Sequence, residues 1–347
     1  MKEHELSICI PSKRNYIDSK DSISSAIGFC DSSNSVLHIS DSSGDKNKRE
    51  LWGGLSLKNF NYCESEYKTS TENWYNAAKN ANGMFIGMCS DDDLLINIKD
   101  PEIEYSLLPS NISGIKPTIQ LWTEKNGFYS INSFSLTQET ALERVKAYVN
   151  SANGNNTTLY SFFKGSVLKD LQEASLFHPL KAGCSDWSIV LALVSSGQVL
   201  YDPSKLYIYK NTNWIGSNLD IENEQKKLYK NVGISDRAFY LSRVFRAIDG
   251  LTYITRKNTP IDRLEAVAAG KFIFELNLNL FVQEFGKNTK YFEENEIKDI
   301  ERIKMDDSSE KKLDILISLL DNFDKSIACK FINFYQKVTG NSWGNIK

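Results

Sequence analysis

The chain has 347 residues, 41% hydrophobic and 24% charged, an ordinary globular composition with enough apolar material for one large domain plus a smaller one, or for two. A formal net charge of -3 excludes a global positive field able to hold a polyanion, so nucleic acid is not an expected partner. The six cysteines form no C-x-x-C pair and the three histidines no H-E-x-x-H, which excludes a zinc ribbon, a disulfide framework and a zinc hydrolase and leaves any metal to oxygen ligands.

Leu6 to Pro11 is a short apolar run closed by proline, after which Ile23, Ala26, Ile27 and Cys30 recur at helical spacing. Val36 to Ile39 is a second apolar run, followed at once by the turn-rich Ser40 to Asp45, so the opening reads as βαβ with parallel strands. A further helix is predicted over Thr71 to Ala81, with Trp74, Ala77, Ala78 and Ala81 on one face and Gly83 as its stop. A third buried strand, Met84 to Cys89, runs directly into Ser90-Asp91-Asp92-Asp93. Ligands of open α/β sheets bind beyond the carboxyl ends of the strands, so Ser12 to Asn15, Ser40 to Asp45 and Asp91 to Asp93 are expected to converge.

Residues 112 to 136 read as short strands and turns, Thr137 to Val149 as a helix, and Asn150 to Thr158 as a loop. Ile189, Val190, Leu193 and Val194 mark another helix, with strands near Val199 to Tyr201 and Leu206 to Tyr209. Past residue 217 the pattern is helix only. Leu313, Leu316, Ile317, Leu320, Phe323, Ile327, Phe331 and Phe334 hold an apolar stripe for about six turns, suited to packing against other helices or, alternatively, to a dimer or membrane-surface face. The cysteines read as small buried hydrophobes in a reducing compartment. With no leader-like start and no apolar run of the roughly 18 residues a membrane span needs, a cytoplasmic location is expected.

Three adjacent carboxylates at a strand end repel one another, and a cation relieves the repulsion. Hard divalent ions such as Mg²⁺ or Mn²⁺ suit such oxygen clusters and commonly bridge carboxylates to a substrate diphosphate. The alternative is a solvated turn that caps the next helix.

The order of segments resembles the GT-A fold glycosyltransferases, specifically the large bacterial family of inverting, glycosyltransferase family 2-like enzymes that use nucleoside-diphosphate sugars. Ile10-Pro-Ser-Lys-Arg-Asn15 is similar to that family's first-strand ending, Ile39-Ser-Asp-Ser-Ser-Gly44 to its second-strand aspartate, and Asn76-Ala-Ala-Lys-Asn-Ala-Asn-Gly83 with Met84 to Asp93 to its helix, strand and D-x-D motif. The resemblance implies an α/β GT-A domain over residues 1–216, with a donor half to about residue 110 and an acceptor half beyond it, and a C-terminal helical extension over 217–347.

It further implies that Pro11, Ser12 and Arg14 border the nucleotide base, and that Asp41 hydrogen-bonds the base or ribose, although an Asx turn explains Asp41 equally well. Asp91 is expected at the ribose or a metal-bound water, Asp93 as the metal ligand beside it, and Asp92 as the variable middle residue on the donor side. In Gly183-Cys-Ser-Asp-Trp187, Asp186 is the implied general base. Ser185 departs from the family's usual acidic residue, and either Ser185 or Asp186 also suits a helix N-cap. Trp187 and Asn155 are the implied acceptor or sugar contacts, and Lys210 and Trp214 lie where a loop covers the donor diphosphate.

The function implied is a Mn²⁺- or Mg²⁺-dependent inverting hexosyltransferase. It would move a sugar, from a UDP-sugar by expectation, to a hydroxyl of a growing O-antigen, lipooligosaccharide or capsule. The acceptor glycan is free or lipid-linked, with peripheral membrane association or a homodimer through the C-terminal helices. Two alternatives remain. A nucleotidyltransferase making sugar nucleotides would want a glycine-rich phosphate loop, which Pro11 to Asn15 lacks, and a non-catalytic sugar-nucleotide or glycan-binding module would not need Asp186.

Overall fold

Leu6–Ser12 forms β1, and every residue of it except Pro11 is buried, the continuous apolar reading of a strand covered on both faces. Its exit is capped at once. The Asn15 side chain accepts the Asp18 N–H and starts helix α1, Tyr16–Ser32, whose buried face is built from Ile23, Ala26, Phe29 and Cys30. Strand β2, Val36–Asp41, pairs in parallel with β1, completing the expected βαβ unit.

Two elements follow that periodicity did not predict: helix α2, Lys46–Trp52, and the edge strand β3, Phe60–Glu64, parallel to β2. Helix α3, Ser70–Lys79, starts on a capping box between Thr69 and Glu72 and ends at Asn80, before Gly83. Gly83 therefore serves a close approach and not a helix cap. A Cβ there would lie 2.5 Å from the Ser7 nitrogen and 2.7 Å from the Phe85 oxygen, both backbone. Gly83→Ala is expected to destabilise the chain by about 1–3 kcal/mol, read as a lower midpoint in urea.

Strand β4, Phe85–Met88, pairs in parallel with β1, and the Asp91 to Asp93 turn joins it to β5, Leu94–Asn97. β6, Ile112–Thr123, and β7, Gly127–Asn132, make a hairpin, and β8, Phe162–Lys164, and β9, Gln198–Lys210, complete the sheet. The order is β3-β2-β1-β4-β8-β6-β9-β5, with β7 on β6. The β3 to β4 block is parallel throughout. β8 is antiparallel to β4 and β6, β9 is parallel to β6, and β5 is antiparallel to β9. The two strands predicted around Val199 and Leu206 are one strand, with a register shift where Pro117 and Thr118 of β6 face it.

In a flat sheet β9 would stand three strand spacings, about 14 Å, from β4. Yet the Ser90 N–H at the end of β4 donates to the Tyr207 hydroxyl at 3.2 Å, and the Lys210 N–H to Asp93 at 2.7 Å. The sheet is curled, and the curl brings the carboxyl end of β9 to that of β4.

The structure, a computed structural model, describes residues 5–66, 69–98, 103–152, 154–181, 185–211 and 214–346. Gly183 and Cys184 of the motif that carries Asp186, and Asn153 in the loop over 150–158, lie outside the described residues. The chain divides into two units. One covers Met1–Glu139, Ala147–Glu173 and Gly197–Ile215 and holds the sheet, and the other covers Thr140–Lys146, Ala174–Ser196 and Gly216–Lys347. The first unit's core gathers Ile8, Ile10, Ile23, Phe29, Ile39, Phe85, Ile115, Ile119 and Phe162.

The second unit is helical. It holds α4, Asp186–Ser195, and α5, Ser242–Ile254, which packs on α6, Arg263–Asn288, the longest described helix. The six-turn apolar stripe is two helices, α7 over Ser309–Phe323 and α8 over Lys325–Thr339. Asp324, in extended conformation, separates them and accepts the Ser326 N–H as the cap of α8. Leu313, Leu316, Leu320, Ile327, Phe331 and Phe334 are all buried, so the stripe is core. No described helix is long and apolar enough to cross a membrane. Cys9, Cys30 and Cys89 are buried as expected, whereas Cys63 and Cys329 are exposed, and all five are free thiols.

Candidate functional site

The predicted convergence of strand ends is present. The Ser12 hydroxyl donates to Asp91 Oδ2 at 2.7 Å, and the N–H groups of Lys13 and Arg14 donate to the same oxygen at 2.8 and 2.9 Å. The Arg14 guanidinium then forks, Nη1 reaching Asp91 Oδ1 and Nη2 reaching Asp92 Oδ2 at 2.5 Å each. Burial alone would raise the Asp91 carboxyl. The Arg14 N–H, the Ser12 hydroxyl, the Arg14 charge and the Lys13 N–H outweigh it and hold the group below the ordinary carboxylate range.

Asp93 faces the other way. It is 1% exposed, its Oδ2 accepts the Tyr207 hydroxyl at 2.7 Å, and its Oδ1 accepts the Lys210 N–H. Burial, and next the neighbouring Asp92 charge, push it up to about 7. The expected metal ligand thus points inward, while Asp92, taken as the variable residue, faces outward with its other oxygen accepting the Ser90 hydroxyl.

Asp41 is buried as well. Its Oδ1 accepts the Lys48 ammonium at 2.9 Å and the Ser43 N–H at 3.0 Å, and its Oδ2 accepts the Tyr62 hydroxyl. Lys48, fully buried, also donates to the Ser12 hydroxyl and the Arg14 carbonyl. Both functional and Asx-turn readings bear on Asp41, and the structure shows the turn bond to Ser43 together with an interior ion pair that ties β2 to the β1 loop. Lys48 and Tyr62 were not anticipated, because they lie on the two elements that lack an apolar period.

Beside Asp92 opens a cavity of about 560 Å³, lined by Arg14, Ile17, Asp18, Asp21, Ser90, Asp92, Tyr160, Tyr209, Lys210 and Trp214. Its size is that of a small-molecule site. Tyr160 stacks on Tyr207 at 4.9 Å between centroids and leans on Tyr209 at 5.5 Å, so the aromatic wall is held by the strand that also binds Asp93. The Lys210 ammonium pairs with Glu124 at 2.8 Å and lies 5.8 Å over the Trp122 ring. Of the residues singled out in the sequence, Arg14, Asp92, Lys210 and Trp214 line this one cavity. Pro11, paired with Ser40 in the sheet, Ser12, Asp41, Asp91 and Asp93 do not line it.

Asn155 does not line this cavity either. Its side chain accepts the Thr157 N–H at 2.7 Å in a turn. In the second unit, Asp186 is the first residue of α4 and accepts the Trp187 N–H at 2.8 Å. Ser185 occupies the N-cap position but makes no side-chain cap bond, so the capping alternative fails for the serine. The Trp187 ring faces the Arg246 guanidinium at 5.9 Å.

A divalent cation would need oxygens that converge. Among the described residues no three His, Cys, Asp or Glu side chains form such a group. Two carboxylates do share one cation, Asp91 Oδ1 taking Nη1 and Asp92 Oδ2 taking Nη2 of the Arg14 guanidinium. A pair of carboxylates completed by substrate phosphates and water is an ordinary arrangement for Mg²⁺, so the residues fit an ion that a phosphate ligand helps to hold.

The fold and site define a mixed α/β unit with a polar, aromatic-walled cavity beyond the carboxyl ends of its parallel strands. No protein-family model matches the chain, and no curated protein matches it. Among solved structures, TarS of S. aureus, residues 1–349, is similar at 14% identity over 97% of this chain and 90% of that one, with a TM-score of 0.49. The same protein in complex with UDP-GlcNAc gives 13% identity, the same coverages and a TM-score of 0.49. A further TarS structure gives 14% identity over 97% of this chain and 55% of that chain, with a TM-score of 0.43.

Proposed function

We propose that the chain is a glycosyltransferase of the GT-A type that takes its sugar from a nucleoside diphosphate. The observation that carries the reading is the single cavity in which Arg14 and Lys210, two cations, stand with Asp92 and with Tyr160, Tyr209 and Trp214. A bidentate guanidinium and a lysine suit a diphosphate, and aromatic faces beside carboxylates suit a sugar ring and its hydroxyls. The oxygens of Asp91 and Asp92 would hold a Mn²⁺ or Mg²⁺ ion, which when bound neutralises charge on the departing nucleoside diphosphate.

The chain's own part is to fix the geometry. Ser12 and the Lys13 and Arg14 N–H groups lock the Asp91 carboxylate, and Tyr207 and the Lys210 N–H lock Asp93, so the turn that presents Asp92 to the cavity is held from both sides. The resemblance assigns the general base to Asp186, which would take the proton of the acceptor hydroxyl as it attacks the anomeric carbon and inverts it. The acceptor in this reading is a growing bacterial surface glycan.

The test is a thermal-shift panel of nucleoside diphosphates and their sugars, with and without Mn²⁺. Stabilisation by at least one nucleotide is expected, and none by any of them overturns the donor site. Asp186→Asn is expected to keep nucleotide binding and to lose transfer by about a hundredfold or more, measured as released nucleoside diphosphate. Unchanged transfer removes Asp186 from the mechanism.

A further inference from the structure

The cavity contains cations but no surplus positive charge. Arg14 already faces two carboxylates and Lys210 a third, while Asp18 and Asp21 add two more carboxylates to the lining. A diphosphate cannot be held there unless one of these pairs opens or positive charge enters with it. The pair built to open is Arg14's. Asp91 Oδ2 is fixed by three donors from the β1 loop, whereas Asp91 Oδ1 and Asp92 Oδ2 are bound by the guanidinium, whose side chain is 41% exposed.

We propose that Arg14 is a placeholder cation, resting on the donor-site reading above. In the empty site it occupies the two oxygens meant for a divalent ion. When the nucleoside diphosphate and the ion enter together, Arg14 gives up both carboxylates and turns its fork to the phosphate oxygens, for which a planar guanidinium is well matched. The site therefore binds ion and nucleotide cooperatively, each tightening the other by the same factor, and binds the ion poorly alone.

The experiment measures Mn²⁺ binding to the full chain by electron paramagnetic resonance, with no nucleotide present. Arg14→Met is expected to bind Mn²⁺ roughly tenfold more tightly than the wild type or better, since the competing charge-assisted bonds are gone. Adding Asp92→Asn to Arg14→Met is expected to abolish that gain. Addition of UDP is expected to tighten Mn²⁺ binding in the wild type and to do so much less in Arg14→Met. Thermal unfolding of Arg14→Met is expected below the wild type but still cooperative, because Asp91 loses the charge facing it and keeps its three other donors. Arg14→Lys, which keeps the charge without the fork, is expected to lie between the two.

Equal Mn²⁺ affinities for wild type and Arg14→Met without nucleotide overturn the proposal. A gain in Arg14→Met together with no UDP binding to either protein overturns the donor-site reading instead, and leaves the contest between Arg14 and the metal for the two carboxylates standing.

Discussion

Asp91→Ala is expected to lower the stability of the chain by about 3–5 kcal/mol and to abolish nucleotide binding. The carboxylate is 2% exposed, and its removal takes away the acceptor shared by the Ser12 hydroxyl and two backbone N–H groups, leaving the inner arm of the Arg14 fork unpaired. Its pKa is depressed in the folded protein, so its contribution is fully present above the unfolded value near 3.8 and is lost as the pH falls through the lower folded value. Wild-type and Asp91→Ala stabilities should therefore draw together in acid. Asp91→Asn, which keeps an acceptor oxygen but no charge, is expected to recover part of the stability and little of the binding. Urea unfolding of the three proteins at pH 7 and pH 3 measures this, and a loss at pH 7 below about 1 kcal/mol would remove Asp91 as the anchor of the site.

Lys116→Met is expected to act in the opposite direction. Lys116 lies on β6, is 0% exposed, and its ammonium has no hydrogen-bond partner among the described residues, only the face of Phe134 at 4.9 Å. Burial pulls it from 10.5 down to about 7, so between those values the folded protein binds fewer protons than the unfolded chain. The destabilisation grows as the pH falls from 10.5 and levels off below about 7. Methionine has nearly the same shape without the charge, and the substitution is expected to stabilise the chain by roughly 2–4 kcal/mol at pH 7, with the gain shrinking toward pH 10.5. Equal urea midpoints for the two proteins at pH 7 would contradict it.

The elements legible in the sequence are those whose burial repeats with a period. β1, α1, β2, α3 and β4 each place apolar residues at strand or helix spacing, and the polar ends of three strands could be joined by the general rule for open sheets. α2 was invisible because the one residue it buries is Lys48, and β3 because it is an edge strand with no buried residue. Asp324 escaped notice since one extended residue between two helices leaves an i, i+3, i+4 stripe almost in phase. In the site, the outward role of Asp92 and the inward one of Asp93 depend on Tyr207 and Lys210, residues more than a hundred positions away that only the curl of the sheet delivers. Neighbouring aspartates in a triplet look alike until the strand that faces one of them is known.

That dependence has a consequence for how the protein is made. β1 to β4 come off the ribosome close together in sequence and can pair as soon as they emerge, while β9, which fills the gap between β6 and β5, is the last strand of the sheet to be synthesised. Until it threads in, Asp93 lacks both Tyr207 and the Lys210 N–H, the aromatic wall has no Tyr209, and the cavity has no far side. A nascent chain shorter than about 210 residues would hold Arg14 and all three aspartates and still lack one wall of the cavity, so closure of the cavity marks the completion of the sheet.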